Sequence, residues 1–186
     1  MVTIADFVTQ APVPDDVVER YRGRVPDELV EIWRTYGYGT FAHGFLRVID
    51  PALYEAKVGD CIGKTQGDGV AIPIMATGLG DLVTWEPSVG VIGILYREHR
   101  TVGLAGTLDN FLFIVDLDGP EELSDSLHWD LFPEAVEAHG PLPYDESFVF
   151  VPLLSMGGKA RVENLHKRST IESIQVAVDL QGVIGH

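Results

Sequence analysis

The chain has 186 residues, 46% of them apolar, with 28 acids against 13 lysines and arginines and a formal net charge of −15. That is enough apolar chain for one domain or two small, intimately packed ones, and so acidic a balance argues against free nucleic acid as a ligand, because phosphate binding needs lysine and arginine. A basic protein partner suits the charge through complementary potentials, solubility alone being the plainer use, and the single cysteine, Cys61, forbids an intrachain disulfide and fits the reducing cytoplasm.

The opening "MVTIADFVTQAPVPDD" has neither a basic flank nor a long apolar core, so it does not read as a signal peptide, and no run approaches the ~20 apolar residues of a membrane span. "PVPDDVVERYRG" predicts a short helix capped by Asp15 or Asp16 and ended by Gly23. "VPDELVEIWRTYG" predicts a clearer one, with Pro26 in the first turn, Asp27 and Glu28 against the helix dipole, and Gly37 as the stop. Its Leu29, Val30, Ile32, Trp33 and Tyr36 recur at helical spacing, which assigns them to the core.

"GTFAHGFLRVID" follows as a turn and strand, and "DPALYEAKVG" as a helix with Asp50 as cap and Pro51 at its first position. The short apolar runs "AIPIMAT", "DLVTWE", "VGVIGILYRE", "TVGLAG" and "NFLFIVDL" are separated by Gly, Asp and Pro, which predicts a meandering, mostly antiparallel sheet. Helical patterns return in "GPEELSDSLHWDLFPEAVEAHG", where Leu131, Phe132, Ala135 and Val136 form an apolar face closed by Gly140. "SFVFVPLL" reads as a buried segment of Phe148, Phe150, Val151, Leu153 and Leu154, interrupted by Pro152. "STIESIQVAVDLQG" predicts a last helix, capped by Ser169 or Thr170, with Ile171, Ile174, Ala177 and Val178 on one face and Gly182 as its stop. The whole is an α+β pattern: a mostly antiparallel central sheet flanked by N-terminal and C-terminal helices.

Charge is unevenly placed. Between Thr101 and Gly158 stand Asp109, Asp116, Asp118, Glu121, Glu122, Asp125, Asp130, Glu134, Glu137, Asp145 and Glu146, with no lysine or arginine among them. Carboxylates of one sign repel one another and destabilise the compact state, so such a block points to partner recognition, the alternative being a merely solvated face.

Catalytic patterns fail on spacing. A phosphate-binding loop needs four residues between its glycines and a helix after Lys-Ser/Thr; in "GDCIGKTQGDG" Gly59 and Gly63 enclose three, and no helix pattern follows Thr65. Ser155 lacks the Gly-x-Ser-x-Gly frame because Leu153 stands where glycine is needed. Cys61 has no base placed beside it, and a lone cysteine is more often a small buried hydrophobe. The six histidines are scattered without metal-ligand spacing, and "DLDGPEE" lacks the calcium-loop pattern, so no catalytic residue, cofactor or metal ligand is assigned.

The residues that carry a family likeness come next. "PVPDDVVERYRGRVPDELVEIWRTYGYGTFAHGFLRVIDPALY" with "GLGDLVTW" resembles the GAD-like domain, notably in Arg20-Tyr21, Trp33-Arg34, Tyr36-Gly37, Gly80-Asp81 and Trp85. "DLFPEAVEAHGPLPYDESFVFVPLLSMGGKARVENLHK" resembles the C-terminal domain of type VI secretion immunity proteins that protect against a DNase toxin, notably in Leu142, Asp145-Glu146, Phe150, Pro152, Gly157-Gly158 and Glu163-Asn164. The resemblance implies a GAD-like domain over 1–120 and an immunity domain over 121–186, packed closely on the first. It also implies a non-enzymatic cytoplasmic protein whose partner is a cognate toxin, a basic nuclease, with no nucleic acid and no membrane bound. An acidic surface can occupy a nuclease's basic groove as a phosphate mimic. The expected contact residues are Asp116, Asp118, Glu121, Glu122, Asp125, Trp129, Asp130, Asp145 and Glu146, with Trp129, Phe132 or Tyr144 as the desolvated anchor. Two alternatives stay open: a regulatory or scaffold module on the same fold, and a hydrolase using Asp or Glu with a metal. Asp145 and Glu146 have the further option of serving only local backbone bonds.

Overall fold

The computed structural model describes residues 3–63, 68–117 and 119–185. Seven strands form one antiparallel meander in chain order: β1 (Val8–Ala11), β2 (Tyr38–Phe41), β3 (Leu46–Val48), β4 (Ile72–Thr77), β5 (Leu82–Glu86), β6 (Gly90–Leu95) and β7 (Arg100–Ala105). The expected α+β class, with its mostly antiparallel sheet and helices at both ends, is the architecture found. β4 and β6 are buried along their whole length, as strands covered on both faces must be, which is why they read as unbroken apolar runs.

Register divides the two faces. Ala76 pairs with Leu82, and Leu82 with Ile94; all three face a core shared with Ile49, Tyr54, Val58 and Cys61. One residue along, Met75 pairs with Val83, and both face the larger core. Helices α1 (Asp15–Tyr21), α2 (Asp27–Thr35), α4 (Leu108–Leu117) and α6 (Leu131–His139) feed that larger core. Helices α3 (Pro51–Val58) and α7 (Thr170–Gln181) cover the other face. Leu29, Val30, Ile32 and Trp33 of α2 are buried as their spacing predicts, and Gly37, at φ 83°, ends the helix in a conformation that disfavours a side chain. Asp50 caps α3 by accepting from the Ala52 N–H at 2.9 Å, and Ser169 caps α7 by accepting from that of Glu172.

Several expectations need correcting. "NFLFIVDL" is not a strand but the body of α4. Thr107 Oγ1 accepts from the Asn110 N–H at 3.2 Å, and Leu108, Phe111, Leu112 and Val115 bury one helical face. Asp15 and Asp16 lie inside the first turn of α1, whose N-cap position is Pro14, so they act on the dipole and do not cap. β1 was not foreseen, nor was β9 (Leu165–Ser169), which pairs with β8 (Glu146–Phe150) in a separate hairpin. Within "SFVFVPLL", Phe148 and Phe150 are buried and Leu153 and Leu154 half-buried, but Val151 is exposed. The P-loop-like segment falls partly on residues 64–67, outside the described residues.

The hairpin is locked to the sheet through buried polar contacts. The Phe148 N–H donates to the Gly78 carbonyl at 2.8 Å, and Arg47, 1% exposed, donates to the Glu146 carbonyl at 2.5 Å. Ser147 Oγ lies 2.7 Å from Thr170 Oγ1 and 3.2 Å from the Thr77 carbonyl. Gly78 has no room for a Cβ, because the Phe132 ring occupies its place, held in turn by Phe45 and Phe148. The chain then returns: α7 packs on α3, with Gln175 Nε2 donating to the Lys57 carbonyl at 2.9 Å.

Candidate partner-binding face

After α4 the chain makes a single-turn 3-10 helix, Pro120–Leu123, and a short helix, α5 (Ser124–Leu127). Pro120, Leu123 and Leu127 point inward and are buried, and that leaves the intervening acids outside. Asp116, Glu121, Glu122 and Asp125 are therefore exposed on one continuous segment, α4 packing on the Pro120–Leu123 turn and that turn on α5. Among the described residues no ion pair engages any of these four. Asp118 lies outside the described residues. Asp130 is exposed just before α6, where its charge offsets a small part of the burial that lowers the Arg97 guanidinium.

A buried ionic scaffold fixes this acidic segment to the sheet. Arg97, in the single 3-10 turn Tyr96–Glu98 that follows β6, pairs with Asp81, which is fully buried just before β5. Its Nη2 donates to the Leu127 carbonyl at 3.1 Å, holding the last turn of α5. The next residue, His128, sits at φ 57° with its Nε2 2.6 Å from Glu98 Oε1, and Arg100 Nε donates to Glu98 Oε2 at 2.5 Å. Burial lowers the Arg97 guanidinium to about 10, still far above neutrality, so Arg97 stays charged at neutral pH. Burial works against the Glu98 carboxylate, but the Arg100 hydrogen bond and the charges of Arg97, His128 and Arg100 outweigh it, so its pKa is held below the ordinary value.

The same region exposes apolar surface. On α4, Phe113 is 61% and Leu117 65% exposed, one turn apart, with Ile114 beside them at 36%. The inner side of α4 and the turn after it, Leu112, Val115, Asp116 and Pro120, form one wall of a groove of about 230 Å³. The other wall is the N-terminal arm with Phe41, Ala42 and His43. Ala42 and His43 both adopt positive φ, and the Asp6 carboxylate accepts from the N–H of each, at 3.2 and 2.6 Å.

Of the aromatic anchors expected from the sequence, two belong to the interior. Phe132 is 3% exposed, and half-buried Tyr144 donates its hydroxyl to the Val48 carbonyl at 2.6 Å. Trp129 is half-buried against the core. Asp145 is exposed and Glu146 half-buried at the start of β8, where their carbonyls accept from the Thr170 N–H and from Arg47. These contacts tie the two acids to the sheet–hairpin junction, whereas Asp116 to Asp125 stand on the α4–α5 segment. Sequence reasoning missed Phe113 and Leu117 because it took α4 for a strand. The 108, 111, 112, 115 spacing behind Thr107 was the signal that could have found them.

The nucleophile candidates stand in unpromising surroundings. Cys61 is buried, and desolvation pushes its thiol pKa up, the reverse of activation. Ser155 is exposed in the loop after β8. Among the described residues no cluster of three or more His, Cys, Asp or Glu could hold a metal ion. None of the described helices is long and apolar enough to cross a membrane.

Two family models match the chain: that of the GAD-like domain over residues 1–96, and that of the C-terminal region of the T6SS immunity protein Tdi1 over residues 109–180. Among curated proteins no significant match is found. The crystal structure of Atu4351 from Agrobacterium tumefaciens is similar in fold, with a TM-score of 0.70 at 18% identity over 92% of this chain and 84% of that one.

Proposed function

The chain belongs to the GAD-like domain family and continues into the C-terminal domain of type VI secretion immunity proteins, and from that premise we propose that it neutralises a DNase-type toxin by covering the toxin's basic groove with the α4–α5 acidic face. The observation that carries this reading is the set of exposed acids, Asp116, Glu121, Glu122 and Asp125, that form no ion pair among the described residues, on a segment pinned from beneath by Arg97. Asp118, Trp129 and Asp130 extend the same stretch, and Asp145 and Glu146 serve as a rim at the β8 hairpin. A nuclease must present lysine and arginine to phosphate, and carboxylates carried on a backbone already held in place meet those groups without the cost of ordering a loop. The protein acts as a stoichiometric inhibitor in the cytoplasm of the toxin-producing cell, without chemistry of its own.

The test is co-expression with a candidate DNase-type toxin drawn from the neighbouring genes, reading DNA cleavage and cell survival. Rescue by the natural chain, lost when Asp116, Asp118, Glu121 and Glu122 become Asn or Gln, is the expected result. Rescue that survives those four changes would move the interface elsewhere, and absence of both rescue and binding would favour a regulatory module on the same fold.

A further inference from the structure

Resting on that reading, we infer that the exposed edge of α4, Phe113 with Leu117 and Ile114, is the desolvated anchor of the interface, inserted into an apolar recess beside the toxin's basic groove. Leu108, Phe111, Leu112 and Val115 already bury the opposite side of α4, so Phe113, Ile114 and Leu117 form a second apolar stripe, flanked by Asp109, Asn110 and Asp116. A contiguous exposed apolar stripe rimmed by polar residues marks an interaction site. Phe113 and Leu117 are one helical turn apart and point the same way, the arrangement with which a helix presents anchors to a groove.

Charge chooses the occupant. Asp109 and Asp116 stand on α4 itself, and Glu121, Glu122 and Asp125 on the segment packed against its end; all are exposed. A second copy of the chain would bring these acids against their equivalents, and an anionic lipid surface would meet the same repulsion. A basic protein surface would neutralise them while an apolar pocket takes the phenyl and isobutyl groups. Interfaces of this kind carry their affinity in a central apolar cluster, with charged groups at the rim setting rate and salt dependence.

The experiment measures binding of the full chain to the purified, catalytically inactivated toxin at two salt concentrations. Phe113→Ala and Leu117→Ala each weaken binding by roughly tenfold to a hundredfold, through faster dissociation, with the salt dependence unchanged. The change Asp116→Asn with Glu121→Gln and Glu122→Gln slows association and flattens the salt dependence. All five side chains are exposed, so melting temperatures stay near the natural value and separate lost binding from lost folding. Toxin binding unchanged in both apolar variants, with the acid variants impaired, would overturn the anchor and leave the acidic face standing. No toxin binding by the natural chain would remove the parent reading itself. A natural chain that dimerises and becomes monomeric on Leu117→Asp would show that a second copy covers this face, which also overturns the proposal.

Discussion

Asp81→Asn removes the charge opposite Arg97 while keeping nearly the same shape. Both side chains are buried, Asp81 fully, and Arg97 also carries the Leu127 carbonyl at 3.1 Å. Leaving a buried guanidinium without its carboxylate costs roughly 3–5 kcal/mol. That agrees with about 4 kcal/mol for unit charges about 4 Å apart at an effective dielectric constant of about 20. At about 2–4 °C per kcal/mol for a chain of this length, the melting temperature falls by roughly 6–20 °C. Arg97→Met strands the carboxylate instead and also frees the Leu127 carbonyl, so it costs at least as much. The double variant Asp81→Asn/Arg97→Met carries neither stranded charge of the pair and retains the loss of the Leu127 bond and of the Glu98 contact, about 1–2 kcal/mol. Its destabilisation therefore falls well short of the sum of the singles, a coupling of at least about 2 kcal/mol in a double-mutant cycle. Urea unfolding at neutral pH, followed by fluorescence of Trp33, Trp85 and Trp129, reads all four chains. Additive single losses, or singles costing less than about 1 kcal/mol, would refute the claim that this pair acts as one buried unit.

Three further outcomes follow from the packing. Gly78→Ala drives a methyl group into the Phe132 ring, which Phe45 and Phe148 prevent from moving away, so thermal unfolding should show a loss of about 1–3 kcal/mol. Glu98 has a depressed carboxyl pKa, so its contribution is present above its unfolded value, near 4.5, and is lost as pH falls through the lower folded value. The stability gap between the natural chain and Glu98→Gln should accordingly hold at neutral pH and close below that point in a pH series of melts. Cys61 is buried with a raised thiol pKa, so a thiol reagent should react with it slowly in the folded chain and at the ordinary rate in denaturant.

Local chemistry places α2, α3 and α7 from the sequence alone. Pro26, Asp50–Pro51 and Ser169 start these helices, and Gly37 and Gly182 end two of them, by interactions confined to one turn. The antiparallel meander was likewise visible in short apolar runs broken by turn residues. The acidic block needed only counting. Three things depended on contacts between distant residues. α4 reads as a strand by composition because its Phe, Ile and Val suit a sheet, its 108, 111, 112, 115 spacing argues for a helix, and the packing of Phe111 and Val115 in the larger core decides between the two. β9 reads as polar, Leu-His-Lys-Arg-Ser, and becomes a strand only because β8 supplies its hydrogen-bond partners. The distinction between Phe132, buried against Gly78, and Phe113, left in solvent, is invisible in composition. It arises because burial is a property of what lies across the gap, and that neighbour is set by long-range packing.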